Sequence, residues 1–288
     1  MRNVTKHNIT DAFAGYISKD TDPRIAQVMT SLAKHLHAFV NEVQLTHGEW
    51  QKGIEMLEWA GDISDKERHE MVLLSDLLGV SSLVDLVNTV PKGTSSSVLG
   101  PFHISGAPAI PFGHDMKRHY DGPLLLAQGT VKNMRGEPIG GASIDIWQTA
   151  PNGLYSSQDP EQDTYSFHGI QTVRDDGRYG FTTAKPISYE VPTDGPAGAL
   201  LAATGRHAWR PSHLHFIIKA EGYRTLVSEI FAAEDPYLDQ DAVFGVREDL
   251  VMTYVEMPEG SFPEGFDLSG SVDGPYLQAD FDLTLVEE

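Results

Sequence analysis

The stretch Ala142-Ser143-Ile144-Asp145-Ile146-Trp147 decides the fold class: apolar and polar side chains largely alternate, the two-residue period of a strand with one face on a core. Downstream, Asp175-Asp176-Gly177 stands between Thr172-Val173 and Tyr179-Gly180-Phe181 and reads as a hairpin turn. From the loop-like PKGTSSSVLGPF, residues 91–102, Gly and Pro punctuate short β-rich runs. Many short strands at such spacing favour a β-sandwich or barrel over a parallel sheet with crossover helices.

Upstream of that loop the period is helical. Ile25, Val28, Met29, Leu32, Leu36, Phe39, Val40 and Val43 recur at three- and four-residue steps on one face of a long amphipathic helix. Thr46 with Glu49 reads as a capping box opening a second helix through Trp50, Ile54 and Leu57; Ser64 with Glu67 repeats the device before Met71, Leu74 and Leu78. Three or four helices therefore come first, and their apolar faces need cover from the rest of the chain or from a second copy. The expected fold is mixed and mainly β: a helical linker or dimerisation region over residues 1–95, then an antiparallel β-sandwich over residues 96–288. No sustained internal repeat or low-complexity segment interrupts it.

Composition narrows the function. The 288 residues include 21 basic and 41 acidic side chains, a formal charge of −20 that opposes binding to nucleic-acid phosphates or anionic membranes. No Lys or Arg follows Arg247, whereas eleven Asp and Glu lie between Glu248 and Glu288. The absence of cysteine excludes disulfides, zinc-thiolate sites, thiol nucleophiles and cysteine-held iron–sulfur clusters. Any metal must use His, Tyr or carboxylates. MRNVTKHNITDAF lacks the apolar run of a secretion signal, and no stretch approaches the roughly 20 apolar residues of a membrane span. A soluble, cytoplasmic protein is expected.

The sharpest chemical signal is Arg210-Pro211-Ser212-His213-Leu214-His215-Phe216-Ile217-Ile218. On a strand, His213 and His215 share one face while Leu214, Phe216 and Ile218 share the other. The pair is either a bidentate metal clamp or two polar residues on a solvated strand face. Cupins also use His-x-His, with Gly six residues before the first His and Glu four after the second; positions 207 and 219 here are His and Lys. HExxH, GxSxG and phosphate-binding Gly-rich motifs are absent, which removes support for zinc hydrolysis and Ser-His-Asp chemistry. Two Tyr-containing turns stand upstream, Pro151-Asn152-Gly153-Leu154-Tyr155-Ser156 and Ile187-Ser188-Tyr189-Glu190-Val191-Pro192-Thr193-Asp194-Gly195-Pro196.

With these turns the sequence resembles the intradiol ring-cleavage dioxygenases, which hold non-haem Fe(III) with two tyrosinates and two histidines. The resemblance runs through LLSDLLGVSSLVDLV, SSVLGPFHI, IDIWQTAPNGLYSSQDP, YEVPTDGP, RPSHLHF and DPYLDQDAVFGV, nearly the whole chain. By motif it is nearest the hydroxyquinol 1,2-dioxygenases, then the catechol and chlorocatechol 1,2-dioxygenases. It implies Tyr155, Tyr189, His213 and His215 as ligands to one Fe(III) per subunit, with Tyr189 also catalytic because it leaves the metal and takes a proton as substrate binds. Two phenolates suit this metal: they are hard anionic donors, and with one hydroxide they balance its three positive charges.

The resemblance further implies that Arg210 stabilises charge developing on the substrate ring. Leu73, Asp76, Leu99, Gly100, Pro101, Val191 and Pro192 would line the substrate pocket. Asp76 either holds the third hydroxyl of hydroxyquinol or is a polar step on a helix. Glu229 stands where catechol enzymes commonly carry Gln, and either accepts a hydrogen bond from that hydroxyl or pairs with an Arg. The implied reactants are an ortho-diphenol and O2, the product is a muconate, and the implied assembly is a homodimer through the N-terminal helices with a phospholipid between them. A narrower similarity, from Gln128 to Thr183, is to non-catalytic transthyretin-like β-sandwich modules; it leaves the helices, both Tyr turns and RPSHLHF unexplained. A zinc or copper hydrolase using the same clamp is the remaining alternative.

Overall fold

The structure, a computed structural model, describes residues 3–117, 120, 122–259, 261–266 and 274–288. The chain forms two compact units, Met1–Glu58 and Trp59–Glu288; the change in composition falls later, near residue 95. The first unit holds α1 (Ile9–Tyr16), α2 (Pro23–Val43) and most of α3 (His47–Asp62). Asp22 caps α2 by accepting from the backbone N–H groups of Arg24 and Ile25, with Pro23 in the first turn where no N–H is needed. The Thr46–Glu49 capping box forms: Thr46 N–H donates to Glu49 Oε2 at 2.8 Å and Glu49 N–H to Thr46 Oγ1 at 3.3 Å. The apolar stripe of α2 is open, with Ile25 58% and Phe39 50% exposed.

The Ser64–Glu67 box does not form. Ser64 donates instead to the Ala60 carbonyl at 2.6 Å, and Asp65 accepts from the N–H groups of Glu67 and Arg68, both at 2.8 Å. An Asx turn at Asp65 closes a shorter loop than the box and delays the next helix, α4, to Glu70–Leu77. Gly79, with φ +70°, separates α4 from α5 (Val80–Asn88), so five helices precede the strands among the described residues.

The strands follow as β1 (Ala109–Ile110), β2 (His114–Asp115), β3 (Leu124–Asn133), β4 (Ser143–Trp147), β5 (His168–Thr172), β6 (Arg178–Ala184) and β7 (Tyr189–Glu190). After α6 (Pro196–Thr204) come β8 (Trp209–Arg210), β9 (His213–Lys219), β10 (Leu226–Ala232), β11 (Val251–Met252), β12 (Val255–Met257), β13 (Tyr276–Asp280) and β14 (Leu283–Leu285). One sheet runs β1-β5-β4-β9-β10-β11 and the other β12-β13-β3-β6-β2, with β14 also on β3 and β7-β8 paired apart. The central ladders are antiparallel; β1, β2, β11, β13 and β14 add parallel pairings.

Between the two sheets lies one apolar core, to which β4 gives Ile144 and Ile146, β9 gives Leu214, Phe216 and Ile218, and the facing sheet gives Leu125, Val131, Tyr179 and Phe181. The turn at Asp175-Asp176-Gly177 exists, but β5 and β6 belong to different sheets. Tight turn chemistry here carries the chain across the sandwich instead of closing a hairpin. Gly177 has φ +80°, and a Cβ there would stand 2.9 Å from the Val131 carbonyl and 2.7 Å from Pro138 Cβ. No helix among the described residues is long and apolar enough to cross a membrane.

One long-range cap fixes the surroundings of β7. Glu70, 1% exposed, accepts from the N–H of Ala197 in the first turn of α6 at 3.0 Å and pairs with Arg68 at 3.1 Å. Arg68 also donates to both oxygens of Asp194. Glu70→Ala should therefore cost about 2–3 kcal/mol of unfolding free energy, against about 1 kcal/mol for the exposed cap Thr46→Ala. Chemical denaturation of the two variants checks the order.

Candidate metal centre

Strand β9 turns its even-numbered side chains into the sandwich core and its odd-numbered ones to the outer face of the sheet. That face is covered: His213 is 3% and His215 2% exposed, so neither is a solvated strand residue. In register, His215 stands opposite Glu229 on β10 and Trp147 on β4. The Trp147 ring stacks on His215 at 4.5 Å with an interplanar angle of 1°. Gly100, with φ +71°, leaves room over the same imidazole, since a Cβ there would stand 3.6 Å from His215 Cε1.

The two tyrosines arrive from loops. A turn at residues 150–154 follows β4, and Tyr155 is held by Phe102 stacked on its ring at 4.7 Å. Tyr189 lies on β7, where its cross-strand partner is Arg210 on β8. Tyr155 Oη lies 3.2 Å from Tyr189 Oη, 3.3 Å from His213 Nε2 and 3.0 Å from His215 Nε2, while the two Nε2 atoms are 3.1 Å apart. His213 Nδ1–H donates to the Pro211 carbonyl at 2.7 Å, which leaves the Nε2 lone pair facing inward.

These distances fit a first-row metal ion. Donors bound at about 2.0–2.1 Å stand roughly 2.9–3.4 Å from one another. Two inward-facing imidazole lone pairs at 3.1 Å need a donor or a cation between them, and protonation is disfavoured. Burial, aided by the Arg210 charge, lowers the His213 pKa to about 4; burial and the neighbouring His213 put His215 well below its ordinary value. Burial also raises both phenols, Tyr155 well above the usual tyrosine range and Tyr189 less because the Arg210 charge opposes it. A bound cation would supply what the phenols lack for ionisation, so Tyr155, Tyr189, His213 and His215 could together hold a metal.

Beside the donors lies a buried charge cluster. Arg210, 2% exposed, donates to Asp241 Oδ1 at 3.0 Å and Oδ2 at 3.2 Å; its Nη1 is 2.8 Å from Glu229 Oε1 and 3.2 Å from His213 Nε2. Glu229 thus pairs with an arginine, one of the two roles left open for it. Its Oε2 accepts from Ser97 Oγ. Burial would raise the Glu229 pKa, but Arg210 and the other partners outweigh it and hold the carboxyl below its usual value. Asp241 and Ser97 were not visible as site residues: their partners lie 31 and 132 positions away.

The remaining expected residues divide. Leu73, Asp76, Gly100, Pro101 and Val191 are buried, Pro192 is half-buried and Leu99 is 41% exposed. Asp76 is 1% exposed and neither of its oxygens has a hydrogen bond. Burial pushes its pKa up to about 6, against the nearby Ser81 hydroxyl and the charge of Arg210. A second His-carboxylate group, absent from the sequence reading, comprises His103, Asp145 and His168. Each imidazole Nε2 meets a separate Asp145 oxygen, at 3.0 and 2.8 Å, so these are ordinary donor–acceptor contacts and anchor the loop that carries Gly100 and Phe102. A cavity of about 610 Å³ bordered by Asp241, Arg206, Phe244 and Arg247 includes none of the four donors.

Known proteins resemble this chain over nearly its whole length. The family model described as dioxygenase matches residues 100–271, and that for the catechol dioxygenase N terminus matches residues 22–94. The chain is 42% identical to 6-chlorohydroxyquinol 1,2-dioxygenase of Cupriavidus pinatubonensis, over 93% of this chain and 98% of that protein. It is 41% identical to hydroxyquinol 1,2-dioxygenase of a Rhizobium species, over 92% and 90%. The solved structure of hydroxyquinol 1,2-dioxygenase from Pseudomonas putida matches with a TM-score of 0.85 and 42% identity, covering 98% of this chain and 99% of that one. Catechol 1,2-dioxygenase of Acinetobacter radioresistens matches with a TM-score of 0.83 at 27% identity, covering 100% and 95%.

The unpartnered carboxyl of Asp76 has a measurable cost. Its pKa rises from 3.8 to about 6 on folding, so the folded chain binds this proton more tightly and the destabilisation is absent below pH 3.8 and complete above about pH 6. In the metal-free protein Asp76→Asn should add about 1–3 kcal/mol of stability at pH 8 and little at pH 4. Urea unfolding at the two pH values tests this; an equal change at both would remove the titration as its cause.

Proposed function

The chain belongs to the intradiol ring-cleavage dioxygenase family, and from that membership we propose that it opens hydroxyquinol, benzene-1,2,4-triol, between its adjacent hydroxyls, giving 3-hydroxy-cis,cis-muconate or its tautomer maleylacetate. Both atoms of O2 enter the product. The observation that carries this reading is the convergence of two phenols with two neutral imidazoles, hard and borderline donors suited to Fe(III), at 3.0–3.3 Å. Asp76 supports the choice of triol: a buried carboxyl with two open acceptor positions fits a substrate carrying one more hydroxyl donor than catechol.

In the proposed assignment one non-haem Fe(III) per subunit is held by Tyr155, Tyr189, His213 and His215. When bound, the ion supplies a Lewis-acidic centre that binds the diphenol as a dianion and makes its ring reactive toward oxygen. Tyr189 Oη, a phenolate while the metal is held, would take one of the two phenolic protons that dianion formation releases, and a hydroxide would take the other. Arg210 keeps a permanent cation beside the ring, pinned by Asp241 and Glu229 so that its charge is oriented before substrate arrives. Leu73, Val191 and Pro101 exclude water from the ring, and Gly100 keeps the space over His215 free of a side chain. We extend the proposal to a homodimer formed through the N-terminal helices, with the exposed α2 stripe as its contact and a phospholipid seated there. A cytoplasmic location suits a chain without cysteine.

Three measurements test this. The purified protein should contain one iron per chain and show a visible tyrosinate-to-iron charge-transfer band; colourless, fully zinc-loaded protein would refute the iron assignment. His213→Ala should lose iron, whereas Tyr189→Phe should retain most of it and turn over slowly. Asp76→Ala should lower kcat/KM for hydroxyquinol roughly 10- to 100-fold and that for catechol far less. An equal loss on both substrates removes Asp76 from substrate recognition.

A further inference from the structure

The imidazole of His215 is held on three sides. Trp147 stacks on one face, Gly100 keeps the space near Cε1 open, and Nε2 points at Tyr155 and His213. Its other nitrogen, Nδ1, is buried and has no hydrogen-bond partner. His213 places its corresponding N–H on the Pro211 carbonyl, so the two imidazoles differ in what supports them from behind. Facing Nδ1 of His215 is Glu229 Oε1 at 3.5 Å, itself buried and without a hydrogen bond, although Arg210 Nη1 lies 2.8 Å and His213 Nε2 3.4 Å from it. The placement follows from strand register, since Glu229 and His215 are direct cross-strand neighbours.

We propose that Glu229 is a positioning residue whose Oε1 serves two donors at once, accepting from His215 Nδ1–H when Nε2 binds the metal while retaining Arg210. The inference rests on the assignment of His215 as a metal ligand. A neutral imidazole that gives Nε2 to a metal carries its proton on Nδ1, and a buried N–H needs an acceptor. Glu229 Oε1 lies where that acceptor is needed. A carboxylate there makes His215 a stronger electron donor than an amide would, which favours Fe(III) over Fe(II) and slows metal loss. Ser97 fixes the opposite oxygen, so the carboxylate keeps its aim between His215 and Arg210.

Glu229→Gln keeps the shape and one acceptor but removes the charge. In the iron-loaded protein it should move the tyrosinate-to-iron charge-transfer band to longer wavelength, because a less electron-rich ferric ion is easier to reduce. Iron release to a chelator should quicken about 10-fold or more. Asp241→Asn removes the other carboxylate on Arg210 without touching His215 and should leave the band in place. An unmoved band and unchanged release rate in Glu229→Gln overturn the proposal. So does a band shifted equally by Asp241→Asn, which would assign the effect to Arg210 alone, or a lowered melting temperature of the metal-free variant with no spectral change. Metal analysis of the unmodified protein separates these outcomes from failure of the ligand assignment, which would show as no bound iron.

Discussion

At the centre of the second unit, two phenols and two imidazoles converge in one water-poor space, where only the phenol O–H groups and Arg210 are on hand as donors to the imidazole nitrogens. Burial lowers the basicity of both imidazoles and suppresses ionisation of both phenols, so the apo arrangement holds neutral groups whose lone pairs converge. Such a set is unfavourable unless the surroundings enforce it. The enforcement is visible in the rigid sheet that sets the His213–His215 spacing, the Phe102 and Trp147 rings stacked on Tyr155 and His215, and the β7–β8 pairing that ties Tyr189 to Arg210. A donor set held at metal-ligand spacing by three independent elements is preorganised, and preorganisation of this kind stabilises charge without reorganisation during reaction.

The cations and anions around that set are equally deliberate. A chain of net charge −20 keeps Arg210 buried beside its donor set, and two carboxylates hold it there. Two carboxylates against one guanidinium leave the cluster anionic before any metal is counted, so it compensates a trivalent ion better than a divalent one. That balance also explains why the buried Arg is tolerable: its partners are close, its hydrogen bonds to Asp241 are bidentate, and Gly245 packs against all three groups with no side chain to separate them.

The sequence was readable where the determining physics is local. The alternation in Ala142–Trp147, the Thr46–Glu49 box and the His-x-His strand each depend on residues within a few positions, and all appear as expected. It misled where two local devices compete, as at Ser64–Asp65, where the Asx turn wins over the capping box. It was also silent on partners. The 175–177 turn announces a reversal, but which sheet receives the next strand depends on side chains far along the chain. Likewise Asp241, Ser97 and Glu70 are unremarkable in composition, and their roles come from contacts more than thirty residues away. The four residues that converge at the site could be grouped beforehand only through family motifs, which supply the long-range pairing that periodicity cannot.

If Asp76 meets the substrate as proposed, stability and recognition trade against each other at that residue. A carboxyl buried without a hydrogen bond is among the more expensive features a helix can carry, and Asn in its place would keep the size while removing the charge. The surrounding acids do not ease the cost, since Glu229 and Asp241 both push its pKa further upward. Retaining such a group makes sense only if something absent from the free protein meets it. A hydroxyl donor on the substrate would do so, converting a folding penalty into a binding contribution that a ring lacking that hydroxyl cannot obtain. The discrimination then arises less from attraction to the triol than from the cost of leaving Asp76 unpartnered against a simple diol.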